Sequence, residues 1–85
     1  MVCECCGKKK KLFDMFYNVS ESGEKVNVCS DCHDIVDRIW HDGIGGEKEL
    51  YAIHREQLTR RAEASSDNFR LWQQNFLAAT ERKLR

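Results

Sequence analysis

No proline occurs anywhere in the 85-residue chain, so no residue forces a helix break or supplies a rigid linker. No excess of either charge exists, since Lys and Arg together number 14 and Asp and Glu also number 14. A chain balanced in this way has no overall pull toward DNA, RNA or anionic lipid, and any such attraction has to be local. Nowhere do about 18 apolar residues follow one another, which excludes a membrane-spanning helix. Met1 leads directly into Val2 and Cys3 with no apolar run of signal-peptide length, and the five cysteines are an odd number. Both features argue against export and a disulfide framework, and for a cytoplasmic location with reduced thiols. Length is wanting too: a chain this short buries too little apolar surface for a generous core, so something besides burial is expected to hold it together.

What is present divides unevenly. Residues 1–42 carry all five cysteines, whereas residues 46–85 are rich in Leu, Ala, Arg, Glu and Gln. Between them Asp42-Gly43-Ile44-Gly45-Gly46 has three glycines in four residues, the signature of a helix stop followed by a turn. In the first part Phe13, Met15, Tyr17 and Val19 alternate at period two and predict a strand over 12–19; Val26-Asn27-Val28 predicts a second. The polar Ser20–Lys25 segment joins them as a hairpin turn. After Cys29, Ser30 or Asp31 is suited to cap a helix whose stripe is Ile35, Val36, Ile39 and Trp40, ending near His41.

In the second part a helix is predicted from about Glu47 to Ala64, with Leu50, Ile53 and Leu58 inward beside His54 and Gln57. Another runs from about Asp67 to Leu84, where Phe69, Trp72, Phe76 and Ala79 form a stripe widened by Leu77 and Leu84. The expected fold class is α+β: a small zinc finger built from a knuckle, a β-hairpin and a helix over 1–42, then a two-helix hairpin over 46–85, all one small folded unit.

The most specific signal lies in the cysteines. Cys3-x-x-Cys6 and Cys29-x-x-Cys32 form two C-x2-C pairs about two dozen residues apart, a spacing suited to tetrahedral binding of zinc by four thiolates. Two intervening residues let one tight turn aim both sulfurs at the same ion, and Gly7 permits the chain to leave with a positive φ. The second pair falls at a helix start, where free N–H groups and the positive dipole end favour thiolate charge. The metal would then replace much of the missing core.

Cys5, next to Cys6, cannot easily share the turn and is expected as a bystander on the outside of the knuckle loop. His33 makes Cys29-Ser-Asp-Cys32-His33 a formal match to the c-type haem attachment motif, but haem attachment needs export and leaves the first pair unexplained. His33 as a substitute ligand is a further alternative to an exposed residue in the first helical turn. His41 and His54 are isolated, and are expected as surface or half-buried residues. A redox C-x-x-C wants a thioredoxin-like context that is missing here.

Residues 3–41, with knuckle, hairpin and cysteine pair at a helix start, resemble the treble-clef zinc fingers. The four cysteines are also similar to the amino-terminal zinc part of the bacterial McsA-type proteins, which carry paired C-x-x-C motifs and assist a kinase and a Clp-type protease. That second likeness covers Cys3, Cys6, Cys29 and Cys32 and not the helices after Gly46, so it implies the site and no partner.

Lys8, Lys9, Lys10 and Lys11 are candidate phosphate contacts, with Phe13, Phe16 and Tyr17 near enough to stack on bases. Glu4, Asp14, Glu21 and Glu24 in the same region weaken that idea, and lysines beside four thiolates also serve simply to offset negative charge. Arg55, Arg60, Arg61 and Arg70 alternate with acids as on a solvated helix pair. The helical hairpin carries more apolar side chains than its own interior holds, so Phe69, Trp72, Phe76 and Leu77 are candidates for a partner-binding surface.

No glycine-flanked serine, phosphate loop or suggestive acidic pair is found, and a four-cysteine site is closed; the chain is therefore not expected to be an enzyme. The expected function is a zinc-stabilised protein–protein interaction module. It would be a small cytoplasmic regulator of bacterial or bacteriophage type that binds a larger host protein, with no membrane partner. A homodimer joined through the helical hairpin is compatible with this. The alternative is a nucleic-acid-binding transcriptional regulator that uses Lys8–Lys11 and helix arginines.

Overall fold

A computed structural model describes residues 1–21 and 23–85. Ser22, in the expected hairpin turn, lies outside them. Two strands, β1 (Phe16–Glu21) and β2 (Glu24–Cys29), pair antiparallel with Phe16 opposite Cys29 and Glu21 opposite Glu24. Three helices follow: α1 (Ser30–Gly45), α2 (Lys48–Arg61), extended by a 3-10 turn over Ala62–Ala64, and α3 (Asp67–Lys83). The architecture is the α+β class expected from the sequence.

The period-two pattern predicted a strand from residue 12, yet β1 begins only at Phe16. The partner explains the difference, because β2 passes into α1 directly after Cys29 and leaves residues 12–15 nothing to pair with. Val26 and Val28 of β2 alternate into the interior, both buried. Cys29 itself occupies the cap position of α1, so Ser30 and Asp31 fall inside the first turn, where Asp31 complements the positive helix end.

α1 buries Cys32, Ile35, Val36, Ile39, Asp42 and Gly43, whereas Trp40, placed on the predicted stripe, is 45% exposed. The helix also continues past the predicted stop near His41. Gly46 ends it with φ +70° and donates its N–H to the Asp42 carbonyl. Gly43 instead marks a close helix approach, for a Cβ there would lie 2.9 Å from Thr80 Cγ2 of α3.

The inner face of α2 also differs from expectation. Tyr51 and Leu58 are buried, while Leu50 and Ile53 are exposed. Polar anchors set this rotation. His54 Nδ1 meets Asp42 Oδ2 of α1 at 2.6 Å, and the Tyr51 hydroxyl donates to Glu81 Oε2 of α3 at 2.5 Å. Burial and the Glu81 carboxylate together raise the Tyr51 phenol above its usual range. Arg61 at the end of α2 reaches Cys32 at the start of α1, so these two helices run antiparallel. α3 starts on the cap residue Ser66, whose Oγ accepts from the Phe69 N–H at 3.0 Å. Its rings stack along the interior, with Phe69 and Trp72 at 5.5 Å and Trp72 and Phe76 at 4.8 Å between centroids.

Candidate metal centre

The knuckle is a tight backbone turn. Gly7 N–H donates to the Cys3 carbonyl (2.9 Å), Cys3 N–H donates to the Lys8 carbonyl (2.8 Å), and the Cys6 N–H points at Cys3 Sγ (3.4 Å). Gly7 leaves the turn at φ +79°, the conformation its lack of a side chain allows. Cys29 at the end of β2 and Cys32 in the first turn of α1 supply the second pair. The four sulfurs of Cys3, Cys6, Cys29 and Cys32 all lie within 4.8 Å of one another, and the Cys6–Cys29 separation is 3.8 Å. A tetrahedral metal with bonds of about 2.3 Å to sulfur needs sulfurs about 3.8 Å apart, so the donor set fits a single ion. Cys3, Cys29 and Cys32 are buried and Cys6 is half-buried.

As free thiols Cys3, Cys6 and Cys32 resist ionisation. The hydrogen bond with Cys32 and burial push Cys3 up to about 12. For Cys32 the bond to Cys3 pulls downward, but the bond to Cys5 and burial outweigh it and raise the thiol. Cys6 is raised mainly by burial. Thiols held protonated in this way gain little from one another, whereas a bound cation would make each sulfur a thiolate and invert the local preference.

Two neighbours of the cluster are not where the sequence suggested. Cys5 is not one of the four converging sulfurs, but neither is it outside the loop: it is fully buried in the core beside them. Arg61, grouped with solvated helix arginines above, directs Nε at Cys32 Sγ over 3.2 Å. That contact is the main reason its guanidinium is held even more firmly charged than usual. It is a cation placed against the sulfur itself, the role assigned above to the lysines. The available signal was helical phase, since Arg61 follows Leu58 by three positions and precedes Ala62, both of which face inward.

Glu4 is the second residue the sequence undervalued. Its carboxylate accepts from Asn27 N–H (2.7 Å), Ser66 Oγ (3.2 Å) and Asn68 Nδ2 (3.1 Å), and its carbonyl accepts from Ser66 N–H (3.0 Å). It ties the knuckle to both β2 and the start of α3. The histidines take other roles. His33 stacks on Tyr17 with centroids 4.1 Å apart, His41 is exposed beside Asp37, and His54 holds the buried Asp42.

Of the residues expected at a partner surface, Phe69, Trp72, Phe76 and Leu77 are all buried in the core. Phe69 is wholly enclosed, while Trp72 and Phe76 help to wall a cleft of about 230 Å³ between β1 and α1, together with Val19, Val36, Asp37 and Trp40. Lys8, Lys9, Lys10 and Lys11 are exposed, with Lys8 Nζ 3.7 Å from Asp14.

No family model matches the chain, and no curated protein or solved structure shows significant similarity to it. The likeness to McsA-type proteins thus rests on the four cysteines alone.

Proposed function

We propose that Cys3, Cys6, Cys29 and Cys32 bind one zinc ion, and that the ion stabilises a non-enzymatic protein-interaction module, a small regulator that acts by docking on a larger protein. The observation that carries the proposal is the convergence of four thiols from two distant C-x2-C pairs within 4.8 Å. Sulfur ligands in a closed tetrahedral set suit zinc, and a site filled by protein leaves no open position for a substrate. Bound there, the ion would supply a cross-link between the knuckle and the β2–α1 junction. The chain's own groups do the rest: Cys6 N–H and Arg61 Nε donate to sulfur, which orients the thiols and offsets their charge.

The cleft between β1 and α1 supports the interaction role. Its apolar walls include Trp40, which stays 45% exposed at the surface. Large apolar groups left at a surface are the common mark of a docking site.

Metal analysis of freshly purified, reduced protein tests the first half. Near-stoichiometric zinc is expected; iron, or no metal, overturns it. The second half is tested by capture from bacterial lysate with wild type and Trp40→Glu. The variant should keep its metal and its melting temperature but lose the captured protein, and equal capture would refute the role given to the cleft.

A further inference from the structure

Among the described residues the most exposed large apolar side chains are Phe13 and Leu12, at 91% and 84%. They do not belong to a loose segment. Asp14 N–H donates to the Lys11 carbonyl (3.1 Å) and Lys11 N–H donates to Asp14 Oδ2 (2.9 Å), closing a tight turn over 11–14. Leu12 and Phe13 are its two corner residues. Such corners ordinarily carry Gly, Pro, Asn, Asp or Ser. The stem below is also built, with Val2 bridged antiparallel to Lys9 and Lys10 N–H donating to the Met1 carbonyl (2.9 Å). Met1 and Met15 add further exposed apolar surface, at 71% and 63%.

Charge completes the pattern. Residues 8–15 contain four lysines against one aspartate, whereas the rest of the chain carries ten basic residues against thirteen acidic ones. That aspartate is engaged, lying 3.7 Å from Lys8 Nζ and accepting from the Lys11 N–H. Glu21 and Glu24 pair at the opposite end of the hairpin from Phe16 and Cys29, roughly 17 Å away along the strands. Glu4 turns its carboxylate to Asn27, Ser66 and Asn68. The whole-chain balance that argued against a membrane partner therefore hides a local asymmetry.

We propose that the turn over Lys8–Met15 is a docking prong for an anionic lipid surface, with Leu12 and Phe13 entering the boundary between headgroups and acyl chains and Lys9, Lys10 and Lys11 meeting the lipid anions. A bilayer interface is the surface that rewards both halves of the feature, taking an apolar tip and attracting the cations beside it. Nucleic acid would reward the lysines and one aromatic ring, but gives Leu12, Met15 and Met1 nothing to enter.

Flotation of the metal-loaded full chain tests this, using vesicles of phosphatidylcholine mixed with phosphatidylserine and vesicles of phosphatidylcholine alone. The protein is expected to float with the mixed vesicles at low salt and not with the neutral ones. Leu12→Ala with Phe13→Ala should lower the partition coefficient at least about tenfold. Lys10→Glu with Lys11→Glu should lower it further, since each lysine near an anionic surface is worth roughly fivefold. All four side chains are exposed, so both double variants should retain wild-type metal content and melting temperature. The proposal is overturned if wild type ignores the mixed vesicles, or if the alanine pair floats like wild type. Lysine-dependent retention of a short oligonucleotide without vesicle binding would equally overturn it and assign the surface to nucleic acid.

Discussion

Residues 3–32 bury four of their five cysteines beside Val26 and Val28, whereas residues 58–84 bury Leu58, Phe69, Trp72, Phe76, Leu77 and Leu84. The first region has little apolar mass to collapse and relies on sulfur gathered around a point. The second has stacked rings and leucines and would gain an interior from burial alone. Small size makes the contrast possible, because a chain this short cannot fill both ends with apolar side chains. The two regions meet in one continuous core, and polar contacts tie them further: Glu4 to Ser66 and Asn68, Asn68 to the Lys25 carbonyl, and Arg61 to Cys32. One end should therefore answer mainly to metal and the other mainly to packing, coupled through the shared core and those contacts.

The harshest way to break that division is to deprive the four cysteines of the ion proposed for them. Structural zinc contributes about 10 kcal/mol or more to the folding of small metal domains. Chelation, or Cys32→Ser, should abolish amide-exchange protection over residues 1–32 while α3 keeps part of its own. A single concerted loss across both regions would break the comparison.

Next in size is Trp72→Ala, which should cost about 3–5 kcal/mol in thermal unfolding while leaving metal stoichiometry intact. Trp72→Phe sharpens the point. The indole Nε1 has no hydrogen-bond partner among the described residues, so its loss removes no bond and the penalty should be well under half as large.

Smaller effects are expected at the joints. Glu4→Gln should cost about 2 kcal/mol, because a carboxylate that accepts three hydrogen bonds becomes an amide that satisfies them poorly. A double-mutant cycle with Ser66→Ala should return a non-zero coupling, and strict additivity would show that the regions are not joined there. Arg61→Gln should raise the metal dissociation constant about tenfold, measured by competition with a chromogenic chelator. The melting temperature of metal-free protein should barely move. A large shift there would make Arg61 a packing residue rather than a partner of sulfur.

The sequence made the cysteine pairs, the hairpin and three helices legible, because ligand spacing and short-range periodicity are local properties. It misplaced features that depend on a neighbour. Met15 and Phe13 continue the alternation of Tyr17 and Val19, but a strand needs a partner and β2 has ended. Leu50 and Ile53 are as apolar as Tyr51 and Leu58, yet Asp42 and Glu81 hold the other face inward through His54 and Tyr51. Cys5 was expected outside the knuckle loop and Glu4 counted only as local negative charge, until α1, β2 and α3 were packed around them.

By itself the sequence determined the chemistry of this protein: two C-x2-C pairs capable of gathering four thiols, with little apolar residue around them. Only the tertiary structure decided which cation stands at the sulfur, which side of α2 faces inward, and that Leu12 and Phe13 stand out at a turn rather than inside a strand. Those outcomes depend on contacts between residues far apart in the chain, whose partners no local spacing reveals until the backbone has brought them together.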